Sequence, residues 1–163
     1  MIRIREANSS DVVSLQNLIQ EWIVTRKLFP SKGGVDFDDL KKFVCGSNQC
    51  FCVVAEDEDE KNLVGYALCT FNYAVWLGKS IMLENIYVKK NYRLKGIGKR
   101  LISSVLKHSL AKGCRNLNFY TEEEDECKPF FAKFGAEDRT VTEGWLVYTL
   151  PHESILSIVD RQN

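Results

Sequence analysis

VKKNYRLKGIGKRL, residues Val88 to Leu101, sets two glycines one residue apart within a run of six cations that holds no carboxylate. The preceding SIMLENIYV (Ser80–Val88) reads as a strand. The rows that follow, Ile97, Leu101 and Val105 beside Ile102, Leu106 and Leu110, have the period of a helix over Gly96–Lys112. The stretch is therefore a strand-to-helix turn. Backbone N–H groups at the start of a helix have no intrahelical acceptor, and the helix dipole makes that end positive. Gly96 and Gly98 lack Cβ atoms, so an anion can approach their amides. Lys89, Lys90, Arg93, Lys95, Lys99 and Arg100 surround it with charge. A solvated basic loop with an ordinary glycine turn is compatible with the same spacing. Two other phosphate loops are not. A G-x-x-x-x-G-K-[ST] loop needs four residues between its glycines and a hydroxyl after the lysine, where Arg100 stands; a G-x-G-x-x-G fingerprint needs a third glycine at Leu101.

Outward from this turn the chain alternates between the two periods. MIRIRE (Met1–Glu6) puts Ile2 and Ile4 on one face, as a half-buried strand does. Val12, Leu15, Leu18, Ile19, Trp22 and Ile23 then recur at threes and fours behind a capping Asn8–Asp11 segment. LFPSKGG (Leu28–Gly34) interrupts, and Val35–Val44 is a weaker helical pattern. Strands are predicted at Cys50–Ala55, Leu63–Tyr73 and Ser80–Val88, joined by EDEDEKN (Glu56–Asn62) and a turn near Gly78. After the Gly96–Lys112 helix come a strand in RNLNFYT (Arg115–Thr121), a short helix at Lys128–Phe134, a last strand at Trp145–Leu150 and a helix in PHESILSIVD (Pro151–Asp160). No repeat or linker divides these elements. The expectation is one mixed α/β (α+β) domain over residues 1–163, with a central, mostly antiparallel sheet flanked by helices.

Composition narrows the function. The 163 residues carry 22 basic and 22 acidic side chains, so no general affinity for nucleic acid or an anionic membrane is indicated. No apolar run approaches the roughly 18 residues of a membrane span, and the first residues lack an apolar signal core, which reads as a soluble, cytoplasmic protein. Six cysteines form no C-x-x-C pair, and His108 and His152 lie far from them, so packed, reduced thiols are expected and no metal.

The strand before the turn carries one carboxylate. Alternation in IMLENIYV places Met82, Glu84, Ile86 and Val88 on one face, so Glu84 is expected among apolar neighbours, where burial would make it a stronger base. A glutamate on a wet sheet face, or one paired with an arginine, fits the same alternation.

The pattern R-x-x-G-x-G, here Arg93-Leu94-Lys95-Gly96-Ile97-Gly98, placed between a strand and a helix, resembles the coenzyme A pyrophosphate loop of the GNAT acetyltransferase superfamily. FNYAVWLGKSIMLENIYVKKNYRLKGIGKRL (Phe71–Leu101), FFAKFGA (Phe130–Ala136) and TEGW (Thr142–Trp145) look like the diamine (spermidine/spermine) acetyltransferases and their thialysine-acetylating relatives. The likeness spans most of the chain and is weakest between Thr25 and Asn48.

The resemblance implies acetyl-CoA as co-substrate, a small primary amine as acceptor, and Glu84 as the base that deprotonates it, through a water. It implies that main-chain groups of Ile86, Tyr87 and Val88 hold the acetyl-pantetheine arm, that Arg93, Leu94, Lys95, Gly96, Ile97, Gly98 and Lys99 receive the pyrophosphate, and that Asp125 stands near a cofactor-contacting asparagine position. Trp76 and Glu143 match substrate-side positions, and a homodimer follows because relatives pair through C-terminal strands.

Two departures matter. The family's tyrosine general acid is replaced by Phe131, which has no proton to give. The family's acidic contacts to a polyamine are also replaced: Ala74 and Val75 stand in the turn, Asn85 follows the base, and Arg26 and Lys27 lie near the expected entrance. The expected activity is N-acetylation of a diamine, polyamine or thialysine-like amine, weakened by Phe131. The alternative is a coenzyme A-binding protein with weak or lost turnover, acting as a sensor or partner subunit.

Overall fold

The computed structural model describes residues 1–28, 36–46, 48–122 and 127–160. Asp125, with most of the acidic run around it, and the Leu28–Gly34 interruption beyond Leu28 lie outside the described residues. The chain divides into two compact units, Met1–Tyr120 and Thr121–Asn163.

The first unit contains β1 (Ile2–Glu6), α1 (Val12–Thr25), α2 (Phe37–Gly46), β2 (Cys50–Asp57), β3 (Asn62–Ala74), β4 (Gly78–Val88), α3 (Ile97–Ala111) and β5 (Asn116–Phe119). The strands form one sheet in the order β1-β2-β3-β4-β5. Successive pairs are antiparallel except β4 and β5, which are parallel and joined through α3. The expected α+β class, with a mostly antiparallel sheet flanked by helices, is what the structure has.

Strand alternation feeds two cores. Leu15, Leu18, Ile19 and Ile23 of α1 pack on Cys50, Cys52, Val54, Tyr66, Leu68 and Tyr87. The intervening residues face α3, as shown by Phe51 stacking on His108 with ring centroids 4.3 Å apart. Ile97, Leu101, Ile102 and Val105 of α3 are all buried. Behind β1, the Arg5 guanidinium grips Asp11 at 2.6 and 2.8 Å and Glu56 at 2.8 Å. That contact holds the Asp11 carboxyl below the usual carboxylate range, while Asp11 also accepts from the Asn8 N–H and so completes a capping box.

One irregularity in β4 alters the expected faces. Leu68 stands opposite Asn85, but Cys69 stands opposite Leu83, which leaves Glu84 as an extra residue in a β-bulge. Alternation therefore slips by one. Asn85 and Tyr87 share the α1 face with Met82, while Ile86 and Val88 turn to the α3 face. The grouping of Met82 with Ile86 and Val88 is corrected accordingly.

Gly65 sets how closely β3 and β4 approach just beyond the bulge. A Cβ built there would lie 2.8 Å from the Tyr87 carbonyl oxygen and 3.2 Å from Val88 Cγ2. Gly65→Ala is expected to cost about 2–3 kcal/mol as strand backbone is forced apart, read as a lower urea midpoint. An unchanged midpoint would show that the strands separate freely there.

The second unit holds α4 (Lys128–Ala132), α5 (Arg139–Glu143) and α6 (His152–Asp160). α5 escapes the sequence reading because five residues rich in β-branched side chains show no apolar period. Its start is made by Asp138, which accepts from the N–H groups of Thr140 and Val141. The strand expected at Trp145–Leu150 is not formed. An extended apolar segment becomes a strand only against a partner ladder, and Trp145, Leu146, Val147, Tyr148 and Leu150 are all exposed. No described helix is long and apolar enough to cross a membrane.

Candidate active site

The site begins where β5 ends. β5 accompanies β4 only from Ser80 to Leu83, its last rung being Leu83 with Phe119, whereas β3 continues to Val88. From Glu84 onward no strand among the described residues pairs with β4 on that side, which leaves an open edge. The Lys89 N–H donates to the Val64 carbonyl at 2.9 Å, so by alternation Tyr87 turns its main chain to β3, while Ile86 and Val88 turn theirs to the open edge. The Val88 carbonyl is taken by Arg93 Nε at 2.9 Å. The Ile86 main chain and the Val88 N–H remain directed along the edge. Tyr87 contributes differently: its hydroxyl donates to Glu21 at 2.7 Å, and burial, with that carboxylate, pushes the phenol up.

The turn into α3 has the backbone of an anion cradle. After a short turn at Lys90–Tyr92, Leu94 has φ 61° and Gly96 φ 77°, both left-handed, separated by one residue of ordinary hand. Alternating handedness curls successive N–H groups toward one concavity, and α3 adds its positive end. Leu94 holds this conformation while wholly exposed, at a local cost of about 1–2 kcal/mol for an L residue. A Cβ at Gly96 would meet nothing within 4 Å, so glycine is there for its φ and not for space.

Two of the six cations build the loop. Arg93 spans the Val88 carbonyl and the Tyr87 ring, 5.6 Å to the centroid, and Arg100 donates to the Ile2 carbonyl at 2.9 Å. Lys95 lies over the Tyr92 ring at 5.3 Å, and Lys99 is exposed on the first turn of α3. Amides, cations and an open strand edge in one line fit a diphosphate joined to an amide-bearing arm.

Glu84 sits at the head of that edge. The bulge removes it from the alternation that would have buried it, and its carboxylate is exposed. The expectation that burial strengthens it as a base is set aside. Its Oε1 accepts from Thr70 Oγ1 at 2.5 Å. Beneath it, burial first, then Glu84 and Cys45, push the Cys50 thiol up to about 12, so at neutral pH it stays protonated and offers no thiolate to compete for an acyl group. Thr70 gave no signal in the sequence, because its contact depends on a bulge that no residue pattern announces. Asn85, beside the carboxylate, accepts from the Tyr66 hydroxyl at 2.5 Å.

Of the remaining expected site residues, Trp76 belongs to the first unit and Glu143 and Phe131 to the second. Trp76 is at the β3–β4 tip, beyond the Ala74–Gly78 rung, about 20 Å along the strand from Glu84. With Tyr73, Lys79 and Arg115 it lines a cleft of about 440 Å³. Glu143 accepts from Arg139 Nε at 2.9 Å and Trp145 Nε1 at 2.7 Å, and Arg139 foremost holds its carboxyl low. Phe131 is buried, with the Phe130 ring edge-on at 5.1 Å. Among the described residues no three His, Cys, Asp or Glu side chains converge as metal ligands, and all six cysteines are free.

Comparison with known proteins shows what the chain is similar to. The acetyltransferase (GNAT) family model matches residues 16–136. The chain is 34% identical to thialysine N-epsilon-acetyltransferase of Mus musculus, covering 98% of both chains, and 30% identical to that of Bos taurus over the same shares. It is 26% identical to spermidine/spermine N(1)-acetyltransferase-like protein 1 of Homo sapiens, covering 96% of this chain and 23% of that one. Among solved structures, AAC(6')-Iy in complex with the bisubstrate analog CoA-S-monomethyl-acetylneamine superposes with a TM-score of 0.72 at 22% identity, over 93% of this chain and 99% of that one. This last likeness concerns the fold.

Proposed function

Because the chain belongs to the acetyltransferase (GNAT) family, we propose that it moves the acetyl group of acetyl-CoA to the primary amine of a small diamine, polyamine or thialysine-like molecule. The carrying observation is the continuous line from Glu84, along the open β4 edge, to the alternating Leu94 and Gly96 backbone at the start of α3. Relatives aligned over 98% of the chain support treating residues 1–163 as one functional domain.

Acetyl-CoA supplies the activated acetyl group as a thioester. The amides of the Leu94–Lys99 segment, with Arg93 holding the segment to Val88, bind the diphosphate. Ile86 and Val88 hold the pantetheine arm, and one of their N–H groups polarises the acetyl carbonyl. An alkyl ammonium near pKa ~10.4 must lose a proton first, which costs about 4–5 kcal/mol at pH 7. Glu84 takes that proton, directly or through a water. Phe131 has none to return to the departing thiolate, but a thiol near pKa ~8.5 leaves as an anion at a cost of only about 2 kcal/mol at pH 7, so turnover is slowed and not abolished.

The hairpin tip bears on the amine. Lys79 and Arg115 flank Trp76 where a long polycation would extend, which ranks a short amine, or one bearing a carboxylate as thialysine does, above spermine. On the family resemblance, Trp76 and Glu143 are each assigned to substrate binding and Asp125 to the coenzyme.

A second reading, a coenzyme A-binding protein without turnover, is favoured by Phe131. Acetyl-CoA consumption against diamines, polyamines, thialysine and arylalkylamines separates the two. Acetylation of thialysine or a short diamine is expected. Tight coenzyme binding with no acceptor acetylated across the panel would favour the second reading. A homodimer through the Trp145–Leu150 segment is part of this proposal, supported by the exposed apolar side chains of Leu146, Val147, Tyr148 and Leu150. Sedimentation as a monomer at micromolar concentration would remove it.

A further inference from the structure

The bulge that exposes Glu84 also deprives it of the constraint its neighbours have. Leu83 and Asn85 each face a residue of β3, and the ladder fixes where their side chains point; Glu84 faces none. A glutamate with three free torsions at an open edge spends most of its time away from any one geometry. A general base must lie within hydrogen-bond reach of the proton it removes.

Thr70 supplies the missing constraint. It stands on β3 opposite Met82 of β4 and Cys50 of β2, so its backbone is fixed by both neighbouring strands. Its β-branched side chain has stiff χ1, which gives the hydroxyl a set direction. That hydroxyl lies 2.5 Å from Glu84 Oε1. On the face that Thr70 shares with Cys50, the Cys50 thiol is kept protonated by burial, and Cys69, also protonated, turns to the other face, so Thr70 is the strong donor beside Glu84.

We infer that Thr70 is the positioning residue of the catalytic carboxylate: it donates to Glu84 Oε1, holds the side chain over the β4 edge, and leaves Oε2 to receive the ammonium proton. The inference rests on Glu84 being the base.

The test uses the full chain, the most rapidly acetylated amine of the panel, and the variants Thr70→Val, Thr70→Ser and Glu84→Gln. Thr70→Val preserves shape and removes the donor. It is expected to lower kcat about 10- to 30-fold, with acetyl-CoA affinity and thermal midpoint unchanged. The amine KM is expected to stay within about twofold, because the hydroxyl orients the base and does not hold the substrate. Thr70→Ser restores kcat to within about threefold. In a Glu84→Gln background Thr70→Val adds nothing, because both changes remove one unit. Wild-type kcat in Thr70→Val, or losses that add in the double variant, would overturn the Thr70 role while leaving the base intact. Wild-type turnover in Glu84→Gln alone would remove the base, and Thr70's role with it.

Discussion

Glu84→Gln is expected to lower kcat about 10²- to 10³-fold at pH 7 and to leave acetyl-CoA affinity within about twofold. The amide keeps the shape and still accepts from Thr70, so the bulge and the open edge are preserved while the proton acceptor is lost. The pH dependence carries the argument further. Without a base, only the unprotonated amine reacts. Near pKa ~10.4 that fraction is about one in 2,500 at pH 7, and it rises tenfold per pH unit. The variant's kcat/KM should therefore climb with unit slope toward pH 10, while the unsubstituted chain reaches its plateau earlier. Parallel profiles for the two would remove Glu84 from the base role.

The legibility of this site in the sequence followed the range of the interactions involved. Leu15, Leu18, Ile19 and Ile23 recur at helical spacing, and each does pack where α1 meets the sheet. The Arg93–Gly98 segment was readable for the same reason: glycine spacing and the strand-to-helix change are local, and Gly96 has the left-handed φ that explains its identity. Glu84 shows where locality stops. Its type and strand were legible, but its exposure depends on how β3 is numbered against β4, and a one-residue offset moved Ile86 and Val88 to the opposite face. Trp145–Leu150 fails similarly, since alternation states that a segment could be a strand and not whether a ladder exists for it. Thr70 was invisible because its role is set by a contact across two strands.

The second large effect is expected at Gly96. Valine there must take φ near 77°, where a β-branched residue is strongly disfavoured, and nothing within 4 Å would hold it in place. The backbone relaxes out of the left-handed region, the Leu94 to Ile97 amides no longer converge, and Gly96→Val should raise the acetyl-CoA dissociation constant about 100-fold in calorimetry. The fold should persist, because Ile97, Leu101 and Val105 keep their burial against the sheet from the next turn onward. Lys99→Ala is the contrasting case: a single exposed charge is screened by salt, so a loss of only about three- to fivefold is expected. Cations as the whole of the recognition would reverse that order, with Lys99→Ala the more damaging. At saturating acetyl-CoA the Gly96→Val chain should recover most of its kcat, since Glu84 and Thr70 lie at the other end of the open edge; Glu84→Gln should not recover at any concentration. That division follows from diphosphate capture and proton removal standing on separate stretches of one strand and the turn after it. An equal loss of kcat in both variants would mean that the loop also orders the chemistry.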